Sequence, residues 1–220
     1  MELTKTTTVI WNYDRAEIIA DGIIHAVGIA LGIAAAAVLL VIALHAAHRA
    51  DIIPVTIYLI GLLSMLGLSA AYNLWPVSPR KWLLRRFDHS SIYLLIAATY
   101  TPIIWHTEGR LATIVLITVW LVAAAGIVLK LGWPERFNGL SIILYLALGW
   151  SGILAYEPIA SALHPLTLWL IVIGGAFYSV GVSFHLCERL RFHTAIWHGF
   201  VLIAALFHYS AVVSCVTQTI

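Results

Sequence analysis

Seven long apolar stretches, separated by short polar connections, run through the chain at 18–44, 53–75, 89–106, 111–130, 138–157, 164–186 and 194–216. A helix needs about 20 mostly apolar residues to cross the hydrocarbon layer of a membrane. Backbone polar groups find no water there, so runs of this length can only be helices. The pattern predicts an all-α bundle of seven transmembrane helices, with a polar segment at 1–17 and one membrane domain at 18–217. The first run, from Ile18 to Leu44, exceeds the ~7–15 residues of a signal-peptide core and reads as an uncleaved span. No linker, low-complexity tract or internal repeat breaks the series. The lack of a repeat weighs against a transporter built from two similar halves.

Composition agrees with this pattern. Of 220 residues, 62% are hydrophobic and 10% charged, with a mean hydropathy of +0.97; a soluble domain carries about 25% charged residues. The net charge of +2 offers nothing to a nucleic acid. Charge position says more. With the N-terminus inside, the inner segments hold Lys5, Arg15, Arg80, Lys81, Arg85, Arg86, Lys130, Arg136, Arg189 and Arg191, and the outer loops only Arg49 and Arg110. Such a bias sets the N-terminus in the cytoplasm and the C-terminus outside. That is the reverse of a rhodopsin-type receptor. Trp11, Trp75, Trp82, Trp105, Trp133 and Trp197 fall near the proposed interfaces, where an amphipathic ring is favoured; mid-span Trp120 reads as packing.

No Lys, Arg, Asp or Glu sits in the middle of a span, which excludes a retinal pump and leaves an ion pump without its midplane charges. Ionisable groups gather instead at the inner ends. Glu17, Asp21 and His25 are four apart and share a face of the first span, as Ser69 and Asn73 do at the end of the second. Asp88 and His89 open the third. His193, Thr194 and His198 start the seventh, with His208 about three turns deeper. Plainer roles compete: Glu17 and Asp21 suit the helix dipole, and Asp88 an N-cap. His45, His48, His106 and His164 read as outer-surface groups, and His185 lies at the inner end of the sixth span. Gly28 and Gly32 form a GxxxG suited to close packing within the bundle. Cys187 and Cys215 read as free thiols at opposite ends of the last two spans.

The segments AEIIADGIIHAVG, SAAYNLWP, RRFDHSSIYLLIAATYTP and HTAIWHGFVLIAALFHYSAV, in this order, resemble the hemolysin III family, the bacterial branch of the progestin and adiponectin receptor superfamily. The resemblance implies zinc, held by one histidine of an SxxxH motif in the second span and two of an HxxxH motif in the seventh. An aspartate at the start of the third span then holds a metal-bound water, and the activity implied is that of a lipid amidase. Asp88 matches the aspartate, Ser69 the serine and His198 the second histidine of HxxxH. Asn73 stands at the SxxxH histidine, however, and Thr194 at the first histidine of HxxxH. An amide and a hydroxyl are poor zinc ligands. His193 is five residues from His198, about 140° round a helix; with His25, Asp88 and His89 it is a source from which a site could be rebuilt.

These observations lead to a multi-pass protein of a bacterial inner membrane, with membrane lipids as its partners. A polar cavity facing the cytoplasm, lined by Glu17, Asp21, Asn73, His89, Thr194 and His208, serves lipid sensing or homeostasis. The alternative is a metal-dependent lipid amide hydrolase. It places Asp88 and Ser69 in catalysis and His198, His193 and His25 on a degenerate or rebuilt zinc site. Cytolysis and transport rank lower, since no pore-lining face and no polar path through the outer half are present. The sequence carries no signal for an oligomeric state.

Overall fold

The computed structural model describes residues 13–45, 51–105, 107–133 and 138–218. Glu2, Lys5, Trp11, His48, Arg49, His106 and Arg136 lie outside them. The described chain is all-helical: α1 Arg15–His45, α2 Ile52–Leu74, α3 Pro79–Ile104, α4 Arg110–Gly132, α5 Asn138–Trp150, α6 Tyr156–Ala162, α7 Pro165–Leu186 and α8 His193–Gln218. Six helices are long and apolar enough to cross a membrane, with α5 and α6 counted as one. The 26-residue α3 differs because its first half carries Arg80, Lys81, Arg85, Arg86 and Asp88.

Helix α3 begins ten residues before the apolar run that marked it. Ser78 is extended and its side chain accepts from the backbone of Lys81, while Pro79 occupies the first turn, where its missing N–H costs nothing. Hydropathy finds the apolar part of a helix; the helix itself continues for as long as its backbone is capped. Asp88 is therefore not an N-cap. It lies nine residues past Pro79, about 14 Å along the axis, and is buried.

The fifth predicted run also differs. A 3₁₀ turn at Ser151–Ala155 separates α5 from α6. Tyr100 of α3 satisfies the backbone groups that this break frees. Its hydroxyl proton is shared between the carbonyls of Leu148 (3.0 Å) and Gly149 (2.9 Å), and its oxygen accepts from the Gly152 N–H at 2.8 Å. Ser151 adds a bond to the Leu148 carbonyl at 2.7 Å. A broken helix can sit at this depth because a neighbouring helix supplies the missing partners.

The helices pack as a ring in which α1 touches α2 and α8, α2 touches α3, α3 touches α4, and α7 touches α8. Contacts from α5 to α4 and α7 close the ring, and α3 also reaches α5 and α8. Close approach depends on small residues. Gly32 of the GxxxG packs on Leu66 of α2, and Gly28 on Leu66 and Leu202, so this motif serves contacts inside the bundle. A Cβ at Gly61 would stand 2.6 Å from the Ala98 Cβ, and one at Gly126 would stand 2.4 Å from the Tyr93 ring. Side-chain hydrogen bonds tie neighbouring helices: Trp120 to Thr101 at 3.1 Å, Trp150 to Ser179 at 3.0 Å and Thr167 to Ser214 at 2.7 Å. Outward, Ile19, Ile23, Ile33 and Val41 of α1 are each more than half exposed, an apolar surface suited to lipid.

Replacing Gly61 with Ala should lower unfolding stability in detergent by about 1–3 kcal/mol, since the Ala98 Cβ is fixed to its backbone and the helices must separate. A Cβ at Gly67 meets nothing within 4 Å, so Gly67→Ala should leave stability unchanged or raise it by about 0.5–1 kcal/mol. Thermal unfolding of both variants checks the pair.

Candidate metal centre and polar cleft

The start of α1 is capped reciprocally. The Glu17 N–H donates to Asp14 Oδ1 at 2.9 Å, and the Asp14 N–H donates to Glu17 Oε2 at 2.9 Å. The same two residues hold the α7–α8 connection. Glu17 Oε1 accepts from the backbone of Phe192 at 3.0 Å, and Arg191 donates to Asp14 Oδ2 at 3.0 Å. Phe192 has φ +62°, a left-handed conformation that a bulky residue keeps only when its surroundings hold it. The Glu17 N–H, with Arg191 beside it, holds the exposed Asp14 carboxyl below its ordinary range.

One turn further, Asp21 becomes a hub. Its Oδ1 accepts from His198 Nδ1 on α8 at 2.6 Å, and its Oδ2 lies 3.4 Å from Nε2 of His25, the next residue on the same face. A carboxylate can only accept, so Nδ1 of His198 carries the proton. The two imidazole centroids are 4.5 Å apart. Asp21 and His25 are buried and His198 is partly buried, with side-chain exposures of 9%, 6% and 12%. One ligand atom from each lies within 4.8 Å of those of the other two, a group able to hold a metal ion. His25 Nε2 has no hydrogen-bond partner.

Asp88 approaches from α3. It is buried, close enough to His198, His25 and Arg85 to feel their charges, and within hydrogen-bonding reach of the Ser69 hydroxyl. Its Oδ2 is 3.9 Å from His89 Nε2. Asn73, one turn beyond Ser69, donates to the Ser69 carbonyl at 2.9 Å and, at 3.4 Å, to its hydroxyl. Lys81 closes the end of α2 by donating to the backbone carbonyls of Asn73 (3.0 Å) and Trp75 (2.9 Å). Between these elements runs a narrow cleft. Its lining includes Tyr13, Glu17, Asp21, Asn73, Lys81 and Thr194. About 30 Å³ of it is open to water, room for one or two molecules.

The residues read from the sequence are thus sorted. Asp21, His25 and His198 come together, with Asp88 and Ser69 alongside. His193 does not join them: its ring turns to the Leu190 carbonyl at 3.1 Å and to Thr194 Oγ1 at 3.3 Å. Asp21 stands beside His25 and His198 instead, because position 193 begins α8 on a different face from position 198. His208 packs between α7 and α8, against Gly174 and with Nε2 3.2 Å from the Ile171 carbonyl. The Glu17 carboxylate is spent on capping and on Phe192. The His89 ring meets Tyr72 edge-on at 6.2 Å. Lys81 and Tyr13 were not legible as site residues; Lys81 lies in the charged part of α3 that the apolar count leaves out.

The ligand positions implied by the resemblance do not fit zinc here. Asn73 turns its amide to Ser69, and Thr194 Oγ1 donates to the Tyr13 hydroxyl at 3.3 Å, leaving only His198 of that set. The profile of the family described as "Haemolysin-III related" nevertheless matches residues 16–209. The chain belongs to the haemolysin III family. It is 37% identical to the "Hemolysin-3 homolog" of Bacillus subtilis (strain 168) over 187 residues, which cover 84% of this chain and 88% of the relative. Similarity to "Hemolysin-3" of Bacillus cereus is 34% over 201 residues, 91% of each chain. The family resemblance extends beyond bacteria: the "Monocyte to macrophage differentiation factor" of Homo sapiens is 32% identical over 165 residues, 71% of this chain and 67% of that protein. Membership in this family, together with the six apolar helices, makes the chain a multi-pass membrane protein.

Asp21→Ala removes the acceptor for the partly buried His198 imidazole and should cost about 1–3 kcal/mol of stability. Asp21→Asn keeps an acceptor oxygen and should cost clearly less. Detergent unfolding of the two variants tests this ranking, and equal losses would remove the hydrogen bond as the cause.

Proposed function

We propose that this haemolysin III family member spans the bacterial inner membrane seven times, with α3 as the seventh span and the N-terminus in the cytoplasm. It takes part in membrane-lipid sensing or homeostasis through the cleft at the inner end of its bundle. The supporting observation is the one-sided distribution of polar groups: α1, α2, α3 and α8 bring acids, amides and imidazoles to one end, around the cleft beside Asp21 and Lys81. Ten of twelve Lys and Arg fall on the same side under this topology. The cleft is too narrow for a whole headgroup, so the bound part of the lipid is a small polar group, or the Phe192–Thr194 segment moves aside.

A second reading, hydrolysis of a lipid amide, draws support from Asp88. Buried beside His198 and His25 with Ser69 at its carboxylate, it is placed to take a proton from an attacking water, while Ser69 polarises the substrate carbonyl. Asp88→Ala should then abolish hydrolysis of a ceramide-like amide in a folded protein. Turnover in that variant would eliminate the reading.

Topology has a native reporter. Cys187 is exposed beyond α7 and Cys215 is buried. A membrane-impermeant maleimide should label Cys187 in inside-out vesicles and leave right-side-out vesicles unlabelled; the opposite result would invert the proposed orientation. For the ligand, lipids retained by protein purified in mild detergent should be enriched in one class relative to the membrane. Thr194→Trp, which fills the cleft, should lose that enrichment. A retained-lipid profile identical to the bulk membrane would count against lipid recognition at this site.

A further inference from the structure

We propose that Arg85 of α3 and Lys130 of α4 form a buried site for a phosphate group at the inner end of the bundle. Neither residue lines the cleft beside Asp21, and the inference does not rest on the lipid reading of that cleft.

Arg85 carries the inference. It is 6% exposed, and its Nη1 is buried without a hydrogen-bond partner. No ion pair joins it to another described residue. Its guanidinium carbon stands 5.9 Å from the Trp82 ring centroid, a contact that uses none of its N–H donors. A guanidinium cannot shed its proton in a protein, and a buried charge without a counter-ion is costly. Asp88 feels the Arg85 charge but forms no ion pair with it; its carboxylate is turned to Ser69 and His89. Orienting the chain in the membrane does not require this burial either, since Arg80 of the same helix is exposed.

The surroundings are electropositive. Lys130 is 2% exposed and close enough to feel Arg85. His89 and His185 lie within reach of the same charge. Arg86 donates to the Leu131 carbonyl at 3.1 Å, a tie between α3 and α4 that keeps Arg85 beside Lys130. Like charges repel strongly where water is scarce, and an anion between the two turns that repulsion into attraction. Phosphate suits the pair because the planar fork of an arginine binds two of its oxygens at once, while a lysine adds a point charge.

The depth also fits. Arg85 lies six residues past Pro79, about 9 Å along the axis, and Lys130 lies two residues before the end of α4. Basic pockets between helices on the cytoplasmic side are where anionic headgroups bind. The phosphate therefore comes from a phospholipid headgroup or from free phosphate, two sources with one chemistry.

The test uses the full chain, purified in detergent and stripped of lipid. It is titrated at constant ionic strength with inorganic phosphate and, separately, with dioctanoyl phosphatidylglycerol. Calorimetry and the rise in unfolding temperature read the binding. One or both probes should bind saturably. Arg85→Gln should weaken that binding by about tenfold or more, and Lys130→Gln should weaken it too. Arg80→Gln, which removes an exposed charge from the same helix, should leave it unchanged, as should Thr194→Trp, which fills the cleft. Should Arg85→Gln fail to fold, Arg85→Lys replaces it; this variant keeps the charge, loses the fork and should still bind more weakly. Lipid that binds without competition from phosphate identifies a headgroup, and phosphate that binds where the lipid does not identifies the free anion. Competition between them shows one site open to both. No saturable binding of either probe overturns the proposal, and so does unchanged binding in the Arg85 variant. An equal loss in Arg80→Gln reduces the effect to diffuse surface charge, and a loss in Thr194→Trp moves the phosphate to the cleft; either overturns it.

Discussion

A polar atom carried into the hydrocarbon must find its partner inside the protein, because the surrounding lipid offers none. That constraint organises this molecule at every depth. It explains why the break between α5 and α6 lies where Tyr100 can satisfy three freed backbone groups. It also explains why Thr101, Ser179 and Ser214 each meet a side chain of another helix. At the polar end it brings Asp21 and His198 to 2.6 Å. Partners satisfied in this way are also ties between helices, so the same bonds that make burial tolerable set the neighbours.

The polar end owes its shape to two unrelated features. One is the capping of α1, in which Asp14 and Glu17 bond each other's backbone and then reach across to Arg191 and Phe192. This docks the α7–α8 connection onto the start of α1 and puts the first turns of α8 beside Asp21. The other is the long N-terminal extension of α3, capped by Ser78. It carries Lys81 to the end of α2 and leaves Asp88 well inside the bundle, next to Ser69. Between them the two devices leave a cleft rather than a closed seam.

Membership in the haemolysin III family leaves this chain's own polar residues to be read one by one. Identities of 34–37% to the Bacillus proteins run over most of the length. Asn73 and Thr194 lack the ligand chemistry that the resemblance implies for their positions, and both are absorbed into local hydrogen bonds. Asp21 and His25, on a helix outside that ligand set, face the one remaining histidine. A buried aspartate between two imidazoles is expensive in an apolar bundle unless it is paired or used, and here Asp21 is paired with both rings.

Much of this was legible in the chain itself. The length of each apolar run determines that a helix forms, because only a helix satisfies its backbone from within; six of the seven runs emerge as long apolar helices on that ground alone. The four-residue spacing of Glu17, Asp21 and His25 determines that they share a face. The ends were less legible: Ser78 and Pro79 start α3 ahead of the apolar residues, since caps rather than hydropathy decide where a helix begins. Which faces meet was not legible at all. His198 joins Asp21 and His193 does not, although both lie at the start of one helix and at nearly the same depth. Depth follows from position along the chain, but lateral neighbours follow from how α1 and α8 are rotated against each other. That rotation is set by small residues such as Gly28 and by the Glu17–Phe192 bond, contacts between residues far apart in sequence.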